Sequence, residues 1–513
     1  MTDSLDVATA VGARTEARPQ TGAEYLESLR DGREVWIYGE RVKDVTAHPA
    51  FSGPVRSIAR LYDALHDGTV PTVPTDTGNG GYTHPFFRTP RSSADLVTAR
   101  DAIEAWARLT YGWMGRTPDY KAAFLSTLGV NDAFYAPYDA NARRWYKESQ
   151  EKALYWNHAL INPPVDRGRP VDEVADVFVH VEKETDSGLV LSGAKVVATG
   201  SAMTQMTFIG HGGAPVQDKR FGIVAAVPTD TPGLKLIGRT SYAQTARQAS
   251  TPFDYPLTSR FDENDAILVL DKVHVPWENV FLYGDLEKFN GFLRFSGFNA
   301  RLTLQAATRM AVKLDFLSGL LLKSLALTGT KEFRGVQTRL GEVLSLRAMV
   351  WSLTEAMVRN PEPWVGGSVN PDPKAVDAYR WISTVAYPRV REVVLKDLGS
   401  ALIYLPSHAS DFDSPELRPY LDRYVRGSGG VDAEERVKTL KMLWDAVGTE
   451  FGGRHELYEL NYQGNHEQVR LGVLFNHEGR GWSRNLVDFA EQAMADYDRS
   501  GWTLPDLAAD PSV

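Results

Sequence analysis

Residues 176–200 read DVFVHVEKETDSGLVLSGAKVVATG, and this stretch decides the fold. Valines alternate with polar residues, and Asp186-Ser187-Gly188 supplies a reversal, so the reading is strand, turn, strand. On either side the period changes. Upstream, SADLVTARDAIEAWARLTY (93–111) opens on a good N-cap and spaces its apolar residues by three and four, which predicts a helix. Helical patterning continues over 118–128 and 132–159. Downstream, four long amphipathic segments follow at 299–327, 331–359, 375–405 and 431–461. In the second, Phe333, Val336, Leu340, Val343 and Leu344 recur at helical spacing as one buried stripe. Four such helices predict a four-helix bundle.

The expected organisation is therefore mainly α with a β domain. It comprises a disordered N-terminus (1–20), a helical domain (21–160), an antiparallel β-barrel or sandwich (161–284), and a C-terminal bundle with a tail (285–513). Between two β-rich pieces lies SYAQTARQASTPFDYPLTSRFDEND (241–265), irregular and poor in apolar residues. Loops of that length are functional covers or disordered, and the expectation for 239–265 is a mobile cover over an active site.

Composition narrows the function. The chain has 513 residues, 43% hydrophobic and 24% charged, with a net charge of −9, as expected of a soluble globular protein. No basic block suggests nucleic acid. The absence of cysteine excludes disulfides, thiolate zinc sites and iron–sulfur clusters. The N-terminus lacks a signal-peptide core, and the most apolar segment, LDFLSGLLLKSLAL (314–327), is short and broken by Lys323, so a cytoplasmic protein without a membrane span is expected. The Gly clusters at 78–81 and 210–213 fit no dinucleotide fingerprint, there is no P-loop or GxSxG, and the histidines show no metal-ligand spacing, so no metal is expected.

The chemistry concentrates in residues 116–158. Arg116 and Tyr120 are four apart, roughly 40° apart on a helix face. With His158, just ahead of a Pro-Pro pair, they could hold a phenol: a fixed cation favours a phenolate, and an imidazole takes its proton. The plain alternative is a capped helix and a satisfied loop histidine. FGGRHELYE (451–459) reads either as a helix break or as a place where Gly452 and Gly453 admit a phosphate or ring and Arg454 supplies charge. ATGS (198–201) ends a probable strand.

GR-x-x-x-Y at 115–120, YWNHALINPPVDR at 155–167, SGAKVVATGSA at 192–202 and FGGRHELYE at 451–459, in that order, resemble the 4-hydroxyphenylacetate 3-hydroxylase family over about residues 25–502. These are oxygenase components of two-component flavin monooxygenases, similar in architecture to acyl-CoA dehydrogenases. The resemblance implies a homotetramer (a dimer of dimers), FAD used as FADH2 from a separate NAD(P)H-dependent reductase, and O2 as co-substrate. It implies ortho-hydroxylation of a phenol to a catechol through a flavin C4a-hydroperoxide. Arg116, Tyr120 and His158 would be catalytic and line the phenol site, with His211 and Gly212 as further substrate contacts, although GHGGAP departs from the family pattern. FAD would be held by His158, Asn162, Asp166, Arg167, Thr199, Gly452, Gly453 and Arg454. ESQEKALYWNH (148–158) and GRHELYELNYQGNHE (453–467) resemble the branch acting on carrier-tethered β-tyrosyl units in antibiotic (enediyne) biosynthesis, so the phenol is free or carrier-bound. The rival reading is an acyl-CoA dehydrogenase-like flavin dehydrogenase, which requires a bundle carboxylate such as Glu342 or Glu355 as base.

Overall fold

A computed structural model of the protein describes residues 17–166, 168, 169, 171–213 and 215–508. The expectation of disorder over 1–16, and Arg167, lie outside the described residues. Residues 17–20, expected to be disordered, are tied down. Tyr82 N–H donates to the Ala17 carbonyl at 3.0 Å, Arg18 pairs with Glu24 at 2.6 Å, and the Gln20 and Gln205 side chains bond each other.

The strand Gly188–Thr199 lies next to one edge of the larger sheet, between the edge strand His180–Thr185 and Asp265–Pro276, antiparallel to both. Leu234–Gly238 extends this sheet, and Glu34–Ile37 joins it parallel, turning back into Glu40–Val42. A second sheet runs Val280–Tyr283, Ile223–Pro228, Met206–Ile209, Trp156–Ala159, its last pair parallel. Of the expected antiparallel barrel or sandwich, the structure has two sheets, of six and four strands, and corrects the strand directions, since each contains a parallel pairing. The two parallel pairings use strands from earlier in the chain (34–37 and 156–159), which no hairpin could deliver.

That recruitment also corrects the helix expected over 132–159. The helix Asp139–Lys152 stops where Ala153 turns left-handed at φ 48°, and residues 156–159 pair instead as a strand. Its aromatic residues suit either state, and a sheet partner decides between them.

In the bundle, Phe298–Thr328, Arg334–Arg359 and Pro373–Leu398 pack with Ala433–Val447 and Glu450–Asn461. The helix expected over 431–461 is two helices. Thr449 caps the second, its hydroxyl accepting from Gly452 N–H at 3.3 Å. In the stripe read from the second helix, Val336, Leu340 and Val343 are buried. Phe333 precedes the helix as its N-cap and is 61% exposed, and Leu344 also faces outward.

The segment 239–265 is less irregular than expected. It folds into the helices Tyr242–Ala249 and Thr258–Phe261, and the Leu257 and Thr258 N–H groups donate to Asp445 of the bundle at 2.7 and 3.0 Å. Lys441 pairs with Asp254. Ser241, Leu257, Phe261, Asp262 and Glu263 are buried. Its position is that of a strut between β layer and bundle, because its polar residues find fixed partners instead of solvent. Among the described residues no helix is long and apolar enough to cross a membrane.

Candidate active site at the seam of helix, sheet and bundle

Arg116 lies just before the helix Pro118–Leu125, whose N-cap is Thr117 and whose first residue is Pro118, where a missing N–H leaves nothing unsatisfied. The same-face helical spacing expected for Arg116 and Tyr120 is therefore corrected. The guanidinium instead lies over the Tyr120 ring at 4.0 Å, with Tyr462 at 4.9 Å and Tyr458 at 5.4 Å. Its backbone is clamped: Glu263 accepts from Gly115 N–H at 2.9 Å and Arg116 N–H at 2.6 Å, and the Tyr155 hydroxyl donates to the Arg116 carbonyl. Gly115 is required by crowding, since a Cβ there would stand 2.0 Å from the Tyr458 hydroxyl.

His158 reaches this cluster from the strand Trp156–Ala159, in register with Phe208. The Tyr120 hydroxyl lies 2.8 Å from both of its ring nitrogens. Tyr120 is fully buried, whereas Arg116 and His158 keep some accessible surface. Burial, with the Arg116 guanidinium nearby, holds His158 well below the usual imidazole range, so it is neutral. Burial pushes the Tyr120 hydroxyl well up, against the pull of Arg116. Burial opposes the charge of Arg116, but Tyr120, Tyr458, Tyr462 and Glu263 more than offset it. The Arg116 Nε and Nη1 and the Tyr458 and Tyr462 hydroxyls are buried without a hydrogen-bond partner among the described residues. Orphaned donors of this kind beside a neutral imidazole suit an anionic oxygen.

Thr199 and Arg454 come from sheet and bundle and meet on one carboxylate. Asp265 accepts from the Thr199 hydroxyl at 2.6 Å and from Arg454 Nε and Nη2 at 3.0 and 2.7 Å. Burial would raise Asp265, yet Arg454 and Arg239 hold it below the usual carboxylate range. Arg454 Nη1 is left over, buried and unpartnered among the described residues, and next to it Gly453 faces open space. A phosphate or ring edge fits that pair. Gly452 does not belong with it, because a Cβ there would strike Ala446 and Val447 backbone at 2.8 Å, so its glycine serves the helix corner.

The other expected ligands stand apart. Asn162 accepts from Lys195 Nζ at 2.7 Å, and Asp166 is exposed beside Arg169. His211 stacks on Phe289 at 5.4 Å, and with Gly212 it follows the strand Met206–Ile209, roughly 10 Å along from the residue beside His158. Gly212 adjoins Leu160 and Ile161. Glu342 and Glu355 bind Arg389 and Arg100 near the surface. Glu459, a carboxylate buried in the bundle, is held down at about 2 despite burial, by Arg309 and Lys313, which makes it a poor base.

Sequence reasoning missed Lys121, Glu263, Asp265, Tyr458 and Tyr462. Arg454, Tyr458 and Tyr462 are spaced by four, one face of a helix, and could have been read as a group. Glu263 and Asp265 sit in an acidic run that gives no sign of which carboxylates turn inward.

A helix–sheet–bundle chain of this kind has the acyl-CoA dehydrogenase-like architecture, with a cation, a phenol and an imidazole in contact at its seam. Family comparison matches residues 21–282 to the 4-hydroxyphenylacetate 3-hydroxylase N-terminal model and 289–488 to the C-terminal one. The chain belongs to the 4-hydroxyphenylacetate 3-hydroxylase family. It is 59% identical to the oxygenase component of 4-nitrophenol 2-monooxygenase from Rhodococcus sp., over 99% of this chain and 98% of that one. It is also 59% identical to the (3S)-3-amino-3-(3-chloro-4-hydroxyphenyl)propanoyl-[peptidyl-carrier protein SgcC2] monooxygenase of Streptomyces globisporus, over 96% and 93%. The crystal structure of the oxygenase component (HpaB) of 4-hydroxyphenylacetate 3-monooxygenase complexed with FAD and 4-hydroxyphenylacetate superposes with a TM-score of 0.87 at 29% identity, covering 93% of this chain and 99% of that one.

Proposed function

We propose that this chain is a phenol ortho-hydroxylase, the oxygenase component of a two-component system. It would use O2 and reduced FAD from a separate NAD(P)H-dependent reductase to convert a para-substituted phenol, free or carrier-bound, to a catechol. The observation that carries this reading is the contact of Arg116, Tyr120 and His158 in one buried cluster with uncommitted guanidinium donors. Thr199, Gly453 and Arg454 would hold the flavin, which with O2 supplies the electrophilic oxygen atom. His158, kept neutral, accepts the phenol proton and so raises electron density at the ortho carbon. Arg116 stabilises the phenolate, and Tyr120 orients it by hydrogen bonding. The strut 239–265 holds Arg116 through Glu263 and Arg454 through Asp265, which fixes the two halves of the site relative to each other.

The rival dehydrogenase reading is not supported at the two carboxylates named for it, since Glu342 and Glu355 are committed to arginines, as is Glu459. The protein is read as cytoplasmic and as a tetramer built as a dimer of dimers. The helix Trp482–Ala495 buries none of its residues in the single chain, and Leu486, Phe489 and Met494 are 65%, 74% and 63% exposed, an apolar face suited to another copy. Native mass spectrometry tests the assembly.

The activity is tested by supplying FAD, a flavin reductase and NADH and screening free and carrier-tethered phenols for catechol. His158→Ala should lower coupled hydroxylation by roughly 10²-fold or more while reducing equivalents escape as H2O2. Coupling at the wild-type level in that variant would remove His158 from the mechanism.

A further inference from the structure

Lys121 follows Tyr120 in the helix Pro118–Leu125 and has no exposed surface. Its Nζ lies 3.2 Å from His158 Nδ1, its one hydrogen-bond partner among the described residues. The rest of its surroundings are rings: Phe208 and Phe298 at 4.3 Å, Tyr120 at 5.5 Å and Phe124 at 5.9 Å. No carboxylate pairs with it among the described residues.

The charged and titratable groups around this pocket come from every wall. Arg116 lies before the helix, Asp119 and Tyr120 are on it, and His158 is on the neighbouring strand. Glu263 is in the strut, Arg301 and Arg309 are on Phe298–Thr328, and Tyr458, Glu459 and Tyr462 are on Glu450–Asn461. Glu459 is already taken by Arg309 and Lys313, and Glu263 by the Gly115 and Arg116 backbone. An ammonium here would face an imidazole and a guanidinium with no counter-charge. Burial, then Arg116, accordingly pushes Lys121 well below the usual lysine range, and the amine rests neutral.

We propose that Lys121 is the terminal proton acceptor for the phenol, reached through His158. This rests on the reading of His158 as the base. The phenol O–H breaks as a proton bonds to His158 Nε2, and the His158 Nδ1–H breaks as its proton bonds to Lys121 Nζ. The imidazole ends neutral, and one proton has moved from phenol oxygen to amine. The phenolate so formed is the counter-charge that the ammonium lacked, and the faces of Phe208 and Phe298 receive the cation. The proton returns by the reverse steps when the catechol leaves. Arg116 and His158 keep accessible surface and Lys121 has none, which is the order such a relay needs from substrate inward.

4-Nitrophenol is the probe, because its phenol and phenolate absorb differently. It is added anaerobically to protein loaded with reduced FAD, in weak buffer with a pH indicator, across a pH series. Wild type should bind it as the phenolate below its solution pKa without releasing a proton. Lys121→Met and Lys121→Arg should both need a pH about one unit or more higher, since neither a thioether nor a guanidinium accepts the proton; this is roughly a tenfold loss of bound phenolate. Lys121→Gln repeats the measurement should the methionine variant not fold by thermal melting. Phenolate at the wild-type pH in either the Met or the Gln variant, or wild-type behaviour in Lys121→Arg, overturns the relay. If His158→Ala keeps the bound phenolate, or wild type does not bind the probe, the reading of the phenol site fails instead.

Discussion

Two buried cationic clusters adjoin in this protein and are balanced in different ways. In one, Arg309 and Lys313 close on Glu459, and Arg239 and Arg454 close on Asp262 and Asp265. In the other, the Arg116 guanidinium and the neutral Lys121 amine face tyrosine and phenylalanine rings and a neutral histidine, with no carboxylate in an ion pair among the described residues. A buried charge that has its partner is part of the frame, and removing the partner is costly. A buried charge facing rings keeps its field for a ligand that brings the opposite sign.

The largest expected effect is in the balanced cluster. Glu459→Gln leaves Arg309 and Lys313 without a counter-charge and should lower unfolding free energy by about 3–5 kcal/mol, read by denaturant titration. A loss below about 1 kcal/mol would mean that this cluster is no more structural than the other.

A second test uses Lys195, another buried lysine without a carboxylate partner among the described residues, which donates to the Leu160 carbonyl and Asn162. Burial lowers it from 10.5 to about 7. The unfolded chain therefore takes up this proton first, as pH falls through 10.5. The stability this group contributes is full above that pH and is lost progressively down to about 7, below which the loss levels off. Lys195→Met should flatten the stability slope across that window by up to a few kcal/mol. An unchanged slope would show that the lysine stays charged when buried.

The smallest effect sharpens the boundary between the clusters. Arg454 belongs to the balanced set but keeps Nη1 uncommitted. Arg454→Ala should weaken reduced FAD binding by roughly tenfold, the worth of one charge-assisted contact, and leave phenol affinity nearly unchanged. The fold should hold, since Asp265 keeps Arg239 and Thr199. Flavin affinity at the wild-type level would make FGGR a plain helix corner.

The sequence by itself determined the order helix, sheet, bundle, because side-chain periods of two and of about 3.6 are local properties of the chain. It also marked Arg116, Tyr120, His158 and Arg454 through short motifs whose residue types suggest their chemistry, and Thr199 through the family resemblance alone. Only the tertiary structure decided who meets whom. Residues 156–159 became a strand because a sheet built from distant chain offered them a partner. Gly452 and Gly453, adjacent in sequence, part in role because one faces the Ala446–Val447 backbone and the other faces open space. Residues 239–265 read as a loose cover because they are polar, and they became a strut because Arg239, Arg454 and the Gly115 and Arg116 backbone bind their carboxylates. Lys121 read as an ordinary helix lysine, and its burial against His158 became visible only once two helices and two strands had closed around it. A buried polar residue takes its meaning from partners far away in the chain, and no local period records them.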